Sequence, residues 1–139
     1  MTKKIKRIIA IAIILTMIVS AGAFALEDAS AYIVSKGGGI TATGGGNMRI
    51  TFSMIATGMM DKLGASAIDI YNDDGILVHT ILHTDPGCSN MMTENNYSYG
   101  SSVNWEGISG ESYYAIIAFY ATDDTGYDYR TFVTTTVQV

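Results

Sequence analysis

Cysteine and proline each occur once in this 139-residue chain, at Cys88 and Pro86, tryptophan occurs once and histidine twice. A single cysteine excludes an intramolecular disulfide, so packing alone must hold the fold even in an oxidising compartment. Cys88 is read as a small buried or loop residue, with a bridge between two chains or a reactive thiol as the alternative. Basic residues are the second shortage: eight Lys and Arg stand against thirteen Asp and Glu. Half of the eight, Lys3, Lys4, Lys6 and Arg7, crowd the first seven residues. Beyond residue 25 only Lys36, Arg49, Lys62 and Arg130 face the thirteen acids, a net charge of −9. A surface of that sign repels phosphate backbones, which excludes nucleic acid as a natural partner. Amphipathic helical periodicity is also missing beyond residue 25. No repeat of fixed period is present, so a solenoid or propeller is not expected.

Residues 1–25 follow the plan of a cleaved signal peptide: a basic cluster, the apolar run Ile8–Val19, then small residues. Cleavage is expected after Ala21-Gly22-Ala23 or Ala23-Phe24-Ala25, and the second site leaves Leu26 as the first residue. If retained, Ile8–Ala25 would just span a bilayer, which takes about 17–20 residues, but the small-residue sites favour removal. The chain would then meet the membrane only before cleavage. No cysteine follows the apolar run to carry a lipid, and strand-like pattern continues to Val139, so no C-terminal anchor is expected. The expected location is secreted, free outside the cell or associated with the cell wall. Residues 26–139 amount to one domain.

Within that domain, Ala29–Val34 and Ile40–Thr43 read as an edge strand split by Gly37-Gly38-Gly39. Gly44-Gly45-Gly46-Asn47 turns into the clearest period-two stretch, with Ile50, Phe52, Met54 and Ala56 on one face. Thr57–Ser66 loses the alternation and is expected to be a crossover loop. Ala67–Asn72 and Ile76–His83 form a hairpin about Asp73-Asp74-Gly75. Thr84–Asn96 is irregular, with a turn at Asp85-Pro86-Gly87. Strands follow at Tyr97–Trp105, Ile108–Ala121 and Arg130–Val139, with a turn at Asp123–Asp128. Ile108–Ala121 is apolar on both faces and belongs in the middle of its sheet. Seven to eight short strands with turns at near-regular spacing predict an all-β antiparallel sandwich.

Two resemblances refine this. Ile108 followed by Ser-Gly and Tyr113-Tyr114 resembles the corner before the penultimate strand of fibronectin-type and other immunoglobulin-like sandwiches. The resemblance implies a tyrosine whose hydroxyl returns to the backbone just upstream. Tyr114, six positions after Ile108, is preferred to Tyr113 for this structural role. The order SAYIVS, a Gly-rich turn, RITFSMIATGMMDKLGAS, an acidic hairpin and SYYAIIAFYA resembles small secreted proteins of Gram-positive, clostridial-type bacteria, grouped as a domain of unknown function. It implies a signal peptide and one sandwich domain, and supplies no catalytic residue or cofactor.

Candidate chemistry is sparse. His79 and His83 lie four apart, about 13 Å along a strand, too far to chelate one ion. A bent loop could instead gather His83, Asp85 and Cys88 for zinc or copper. Asp123, Asp124 and Asp128 form one acidic cluster with oxygen ligands suited to calcium, and Asp69, Asn72, Asp73 and Asp74 form another. Neither has the spacing of an EF-hand loop, and such residues also favour turns. No G-x-S-x-G elbow is present, so the chain is not expected to be an enzyme. Tyr97, Tyr99 and Trp105 recur at strand spacing beside Asn104, a mixture suited to stacking sugars and bonding their hydroxyls. The competing reading makes that face core. The expectation is a non-catalytic interaction module for an extracellular glycan or protein, with a carbohydrate-binding module as the alternative and a metal-binding secreted protein as the weaker one.

Overall fold

The computed structural model describes residues 31–139, so the signal-peptide reading and the Leu26 start lie outside the described residues. Its elements are β1 (Ile33–Gly44), β2 (Asn47–Asn72), β3 (Leu77–Leu82), a 3-10 turn (Ser89–Met91), β4 (Met92–Glu106), β5 (Ser112–Asp123), β6 (Gly126–Val133) and β7 (Val137–Gln138). The all-β expectation is met, and all seven strands join one antiparallel sheet. β2 is its spine. One edge of β2 pairs with β1 and then β5, and the other with β4 and then β3. β6 and β7 follow one another along the far edge of β5, so β5 is a central strand as its two apolar faces require.

Partners opposite one another in a ladder share a face, which makes the register a map of inside and outside. Met48, Ile50, Phe52 and Met54 point inward, as do Tyr113, Ala115, Ile117 and Phe119 from β5, and all belong to one buried core. The Phe52 and Phe119 rings meet edge-on at 6.3 Å. β1 packs closely over β5: at Gly38 an added Cβ would stand 2.5 Å from Ile117 Cδ1 and 2.7 Å from the Thr51 carbonyl oxygen. The glycine run that suggested a broken strand is therefore paired throughout, Gly37, Gly38 and Gly39 opposing Ser53, Phe52 and Thr51. β1 does lie at an edge of the sheet.

Thr57–Ser66, expected to be a loop, is strand. Its alternation fails because the strand carries bulges, which insert unmatched residues and reverse the faces downstream. Opposite β4 the pairing jumps from Ile55–Ser98 to Met60–Asn96, and opposite β5 it skips Ser66. Inward residues are thus even-numbered at Ile50–Ala56, odd at Leu63 and Ala65, and even again at Ile68 and Ile70. The skipped Ser66 is not idle: its hydroxyl donates to the Ala118 carbonyl, and its own carbonyl accepts the His83 N–H. β4 also begins five residues before the expected Tyr97, with Asn95 in a left-handed conformation (φ 51°) beside the first bulge.

The predicted hairpin at Asp73-Asp74-Gly75 is present: Asn72 Oδ1 accepts the Asp74 and Ile76 N–H groups, and Gly75 takes φ 74°. The expected final strand is interrupted instead, between β6 and β7. There the buried Thr134 continues the β5 ladder with its side chain. Its N–H donates to the Ala115 carbonyl while its hydroxyl accepts the Ala115 N–H at 2.9 Å.

Candidate functional site

The aromatic set chosen from the sequence does not form one surface. Trp105 and Tyr99 pair with the buried Met48 and Met54, so both turn inward. Trp105 stacks on His79 at 6.0 Å and meets Tyr113 edge-on at 5.2 Å. Tyr99 leans on Phe52 and donates its hydroxyl to the Asn90 carbonyl at 2.6 Å. Asn104 faces the opposite side, its Oδ1 3.5 Å from Arg49 Nε. Tyr97, 58% exposed beside the β2 bulge, faces solvent without the other two. The face Tyr99–Trp105 is core, the competing reading of its pattern.

The residues weighed as metal ligands are held in other ways. Asp85 Oδ2 accepts the Leu82 N–H, His83 Nδ1 lies 3.1 Å from the Ser66 carbonyl, and Cys88 rests against the core. Asp123 caps its own turn and Asp128 pairs with Arg130, while the Asp69 carboxylate accepts the Thr80 hydroxyl. Among the described residues no three His, Cys, Asp or Glu side chains are grouped to hold an ion. His83, Asp85 and Cys88 are not drawn together, nor are Asp123, Asp124 and Asp128, and turn chemistry, which needs the same residue types, accounts for the contacts of Asp85 and Asp123.

Asp123 gives a direct test of that chemistry. The Thr125 hydroxyl, its N–H and the Gly126 N–H all donate to Oδ1 and hold the carboxyl below its ordinary pKa, against a smaller opposing effect of burial. A depressed folded-state pKa stabilises the fold above the unfolded pKa, and the contribution is lost as pH falls through the folded value. We expect the Asp123 carboxyl 13C signal to titrate below that of an unfolded peptide, and Thr125→Ala to raise the midpoint.

The corner tyrosine is Tyr113. Its buried hydroxyl accepts the Ile108 N–H at 2.9 Å, five residues upstream, whereas Tyr114 points outward and stacks on Tyr71 at 5.2 Å. Position along the chain suggested Tyr114; strand parity, which turns Tyr113 inward with Ala115, decides otherwise. Tyr113→Phe should cost about 1 kcal/mol by urea denaturation, and Tyr114→Phe almost nothing.

A different aromatic surface emerges on the outside of β2, β3, β5 and β6. Tyr114, Ile116, Ala118 and Tyr120 of β5 point outward and share that face with Tyr71 of β2 and with Tyr129, Thr131 and Val133 of β6. Tyr127 stacks on Tyr120 at 6.1 Å. Leu82 of β3 lies beside Ala67 at its margin. Tyr127, Tyr129 and Val133 are 70%, 50% and 58% exposed. On β6 the usual alternation is inverted: the tyrosines face water, while Asp128 and Arg130 oppose the fully buried Ala121 and Phe119 and form a largely buried ion pair at 3.2 Å. A one-residue slip would exchange the two sets. The outer face of β1, β4 and the first half of β2 is built differently, with small residues such as Gly37, Thr51 and Ser53 on it and Ser35, Ser53, Ile55, Ser98 and Gly100 lining a shallow open groove of about 470 Å³. The absence of polar alternation in Tyr113–Ala121 was the sequence signal for the tyrosine face. Comparison with family profiles, curated proteins and solved structures finds no match.

Proposed function

We propose that the chain is an exported, non-catalytic interaction module that engages its partner through the tyrosine face of β5 and β6. One observation carries the reading: β6 turns Tyr127 and Tyr129 to solvent while burying Asp128 and Arg130. Apolar and aromatic side chains on the wet side of an antiparallel sheet cost solubility, and large patches of this kind mark interaction sites. Few charges and several tyrosines are also the composition of interface centres. Export rests on the basic and apolar residues of the leader and on the likeness to small secreted Gram-positive proteins. The finer architecture proposed is an immunoglobulin-like sandwich, in which the bulges of β2 fold the sheet over the core of Phe52 and Phe119; the Tyr113 contact supports it.

A carbohydrate ligand is the second reading, transferred from Tyr97, Tyr99 and Trp105 to Tyr127, whose ring is the most exposed of the face. The stacking of Tyr71 on Tyr114 and of Tyr127 on Tyr120 favours a protein partner, because paired rings offer edges and hydroxyls more than free faces. The experiment is retention of the exported chain on cell-surface protein and on wall polysaccharide, with Tyr127→Ser/Tyr129→Ser as the comparison. Retention on protein that the double variant loses supports the leading reading. Loss confined to polysaccharide supports the second, and retention unchanged by the variant removes the face from both.

A further inference from the structure

Resting on that reading, we infer that the partner seated on the tyrosine face is a second copy of this chain, docked face to face about a two-fold axis. Size is the first argument. Four strands about 4.8 Å apart and the run Tyr114–Thr122 at about 3.4 Å per residue give a face of roughly 500 Å². Two copies then bury roughly 1,000 Å² together, the lower bound for specific association, so the contact forms reversibly with concentration.

Charge is the second argument. Away from this face the surface is acidic, and a partner must approach where the acids are few. Lys62 and Asp69 both point outward on β2, toward the two ends of the face: Lys62 stands between Thr122 of β5 and Glu94 of β4, and Asp69, opposite Ile116 of β5, accepts the Thr80 hydroxyl with one carboxylate oxygen. An isologous contact places each residue of a pair against the other member in the second copy. A two-fold axis crossing β2 midway between them sets Lys62 against the partner's Asp69, and Asp69 against the partner's Lys62, at both ends of one interface. The same surface is thus complementary to itself in charge as well as in its apolar centre, and sheet-on-sheet packing is the ordinary geometry for such faces.

Sedimentation equilibrium of the exported chain across a concentration series tests this. The expected result is a mass rising from one chain to two. Tyr129→Ser and Val133→Lys, both at exposed positions, should each shift the midpoint at least tenfold toward the monomer with unchanged circular dichroism. Lys62→Asp and Asp69→Lys should each weaken self-association, while an equimolar mixture of the two recovers the dimer, because opposite charges then meet at both ends. A monomer at every concentration overturns the inference, as does a dimer indifferent to Tyr129→Ser and Val133→Lys. Either result leaves the interaction reading standing if Tyr127→Ser/Tyr129→Ser still abolishes retention on another protein or on polysaccharide. A mixture no tighter than its components overturns the two-fold register.

Discussion

Phe119→Ala is expected to lower the unfolding free energy by about 3–5 kcal/mol, the range for removing a buried aromatic ring from a packed core. Phe119 is fully buried on β5, where it opposes Ala65 on one neighbour and Arg130 on the other. Its ring meets Phe52 of β2 edge-on, so truncation opens a space between the two halves of the sheet and removes a favourable ring contact as well. The neighbours cannot collapse easily into that space, because each is held by its own ladder. Native domains are stable by only about 5–15 kcal/mol, so the variant should be partly unfolded in modest urea. Equilibrium urea denaturation followed by tryptophan fluorescence provides the measurement, since Trp105 packs on the same core. A midpoint within experimental error of the parent would mean that Phe119 does not occupy the core. Tyr129→Ser, one strand away on the exposed side, should change stability by about 0.5 kcal/mol at most, which separates the roles of the two faces.

Gly64→Ala is the second large effect, expected at about 3 kcal/mol or more, from strain at an unfavourable backbone angle together with overpacking. Gly64 has φ 155°, and a methyl group there would run into the backbone of Met91 and Met92 on the approach to β4. Flexible side chains could give way, but a carbonyl oxygen and a Cα cannot move without shifting the strand. Gly64 pairs with Met92 on one side and Tyr120 on the other, so displacement on either side disturbs a ladder. Calorimetry should show the melting temperature reduced by about 10 °C or more, since 1 kcal/mol corresponds to about 4–8 °C in a domain near this size. Gly37→Ala is the control, as a methyl at Gly37 meets nothing within 4 Å.

Much of the strand content was legible, because alternation and turn chemistry are local. The hairpin at Asn72–Ile76 and the inward set Ile50, Phe52 and Met54 followed from those rules. The extent of β2 did not, since a bulge removes the periodic signal while leaving the hydrogen bonding intact. The same loss of phase concealed the corner: Tyr113 and Tyr114 are identical in type, and only parity tells them apart. The candidate surface was hidden for a different reason. Tyr127 falls in what reads as an acidic turn, and the inversion on β6 is recognisable only once Asp128 is seen opposite the buried Ala121. Tyr99 and Trp105 misled because spacing along one strand shows which residues share a face without showing which face is wet.

The arrangement of β2 also governs how the molecule comes apart. β1, β3, β4 and β5 all hydrogen-bond to this one strand, and β6 and β7 reach it only through β5. No subset that omits β2 retains a ladder beyond β5 and its two attendants, so partial unfolding has few stopping points. Pairings such as Asn47–Glu106 and Lys62–Thr122 close long loops before they repay their entropy, a topology associated with folding on the slow side, in milliseconds to seconds. Assembly is therefore concerted and late: β2 is made early in the chain, but its stretch Lys62–Asn72 lacks a partner on one edge until β5 has arrived.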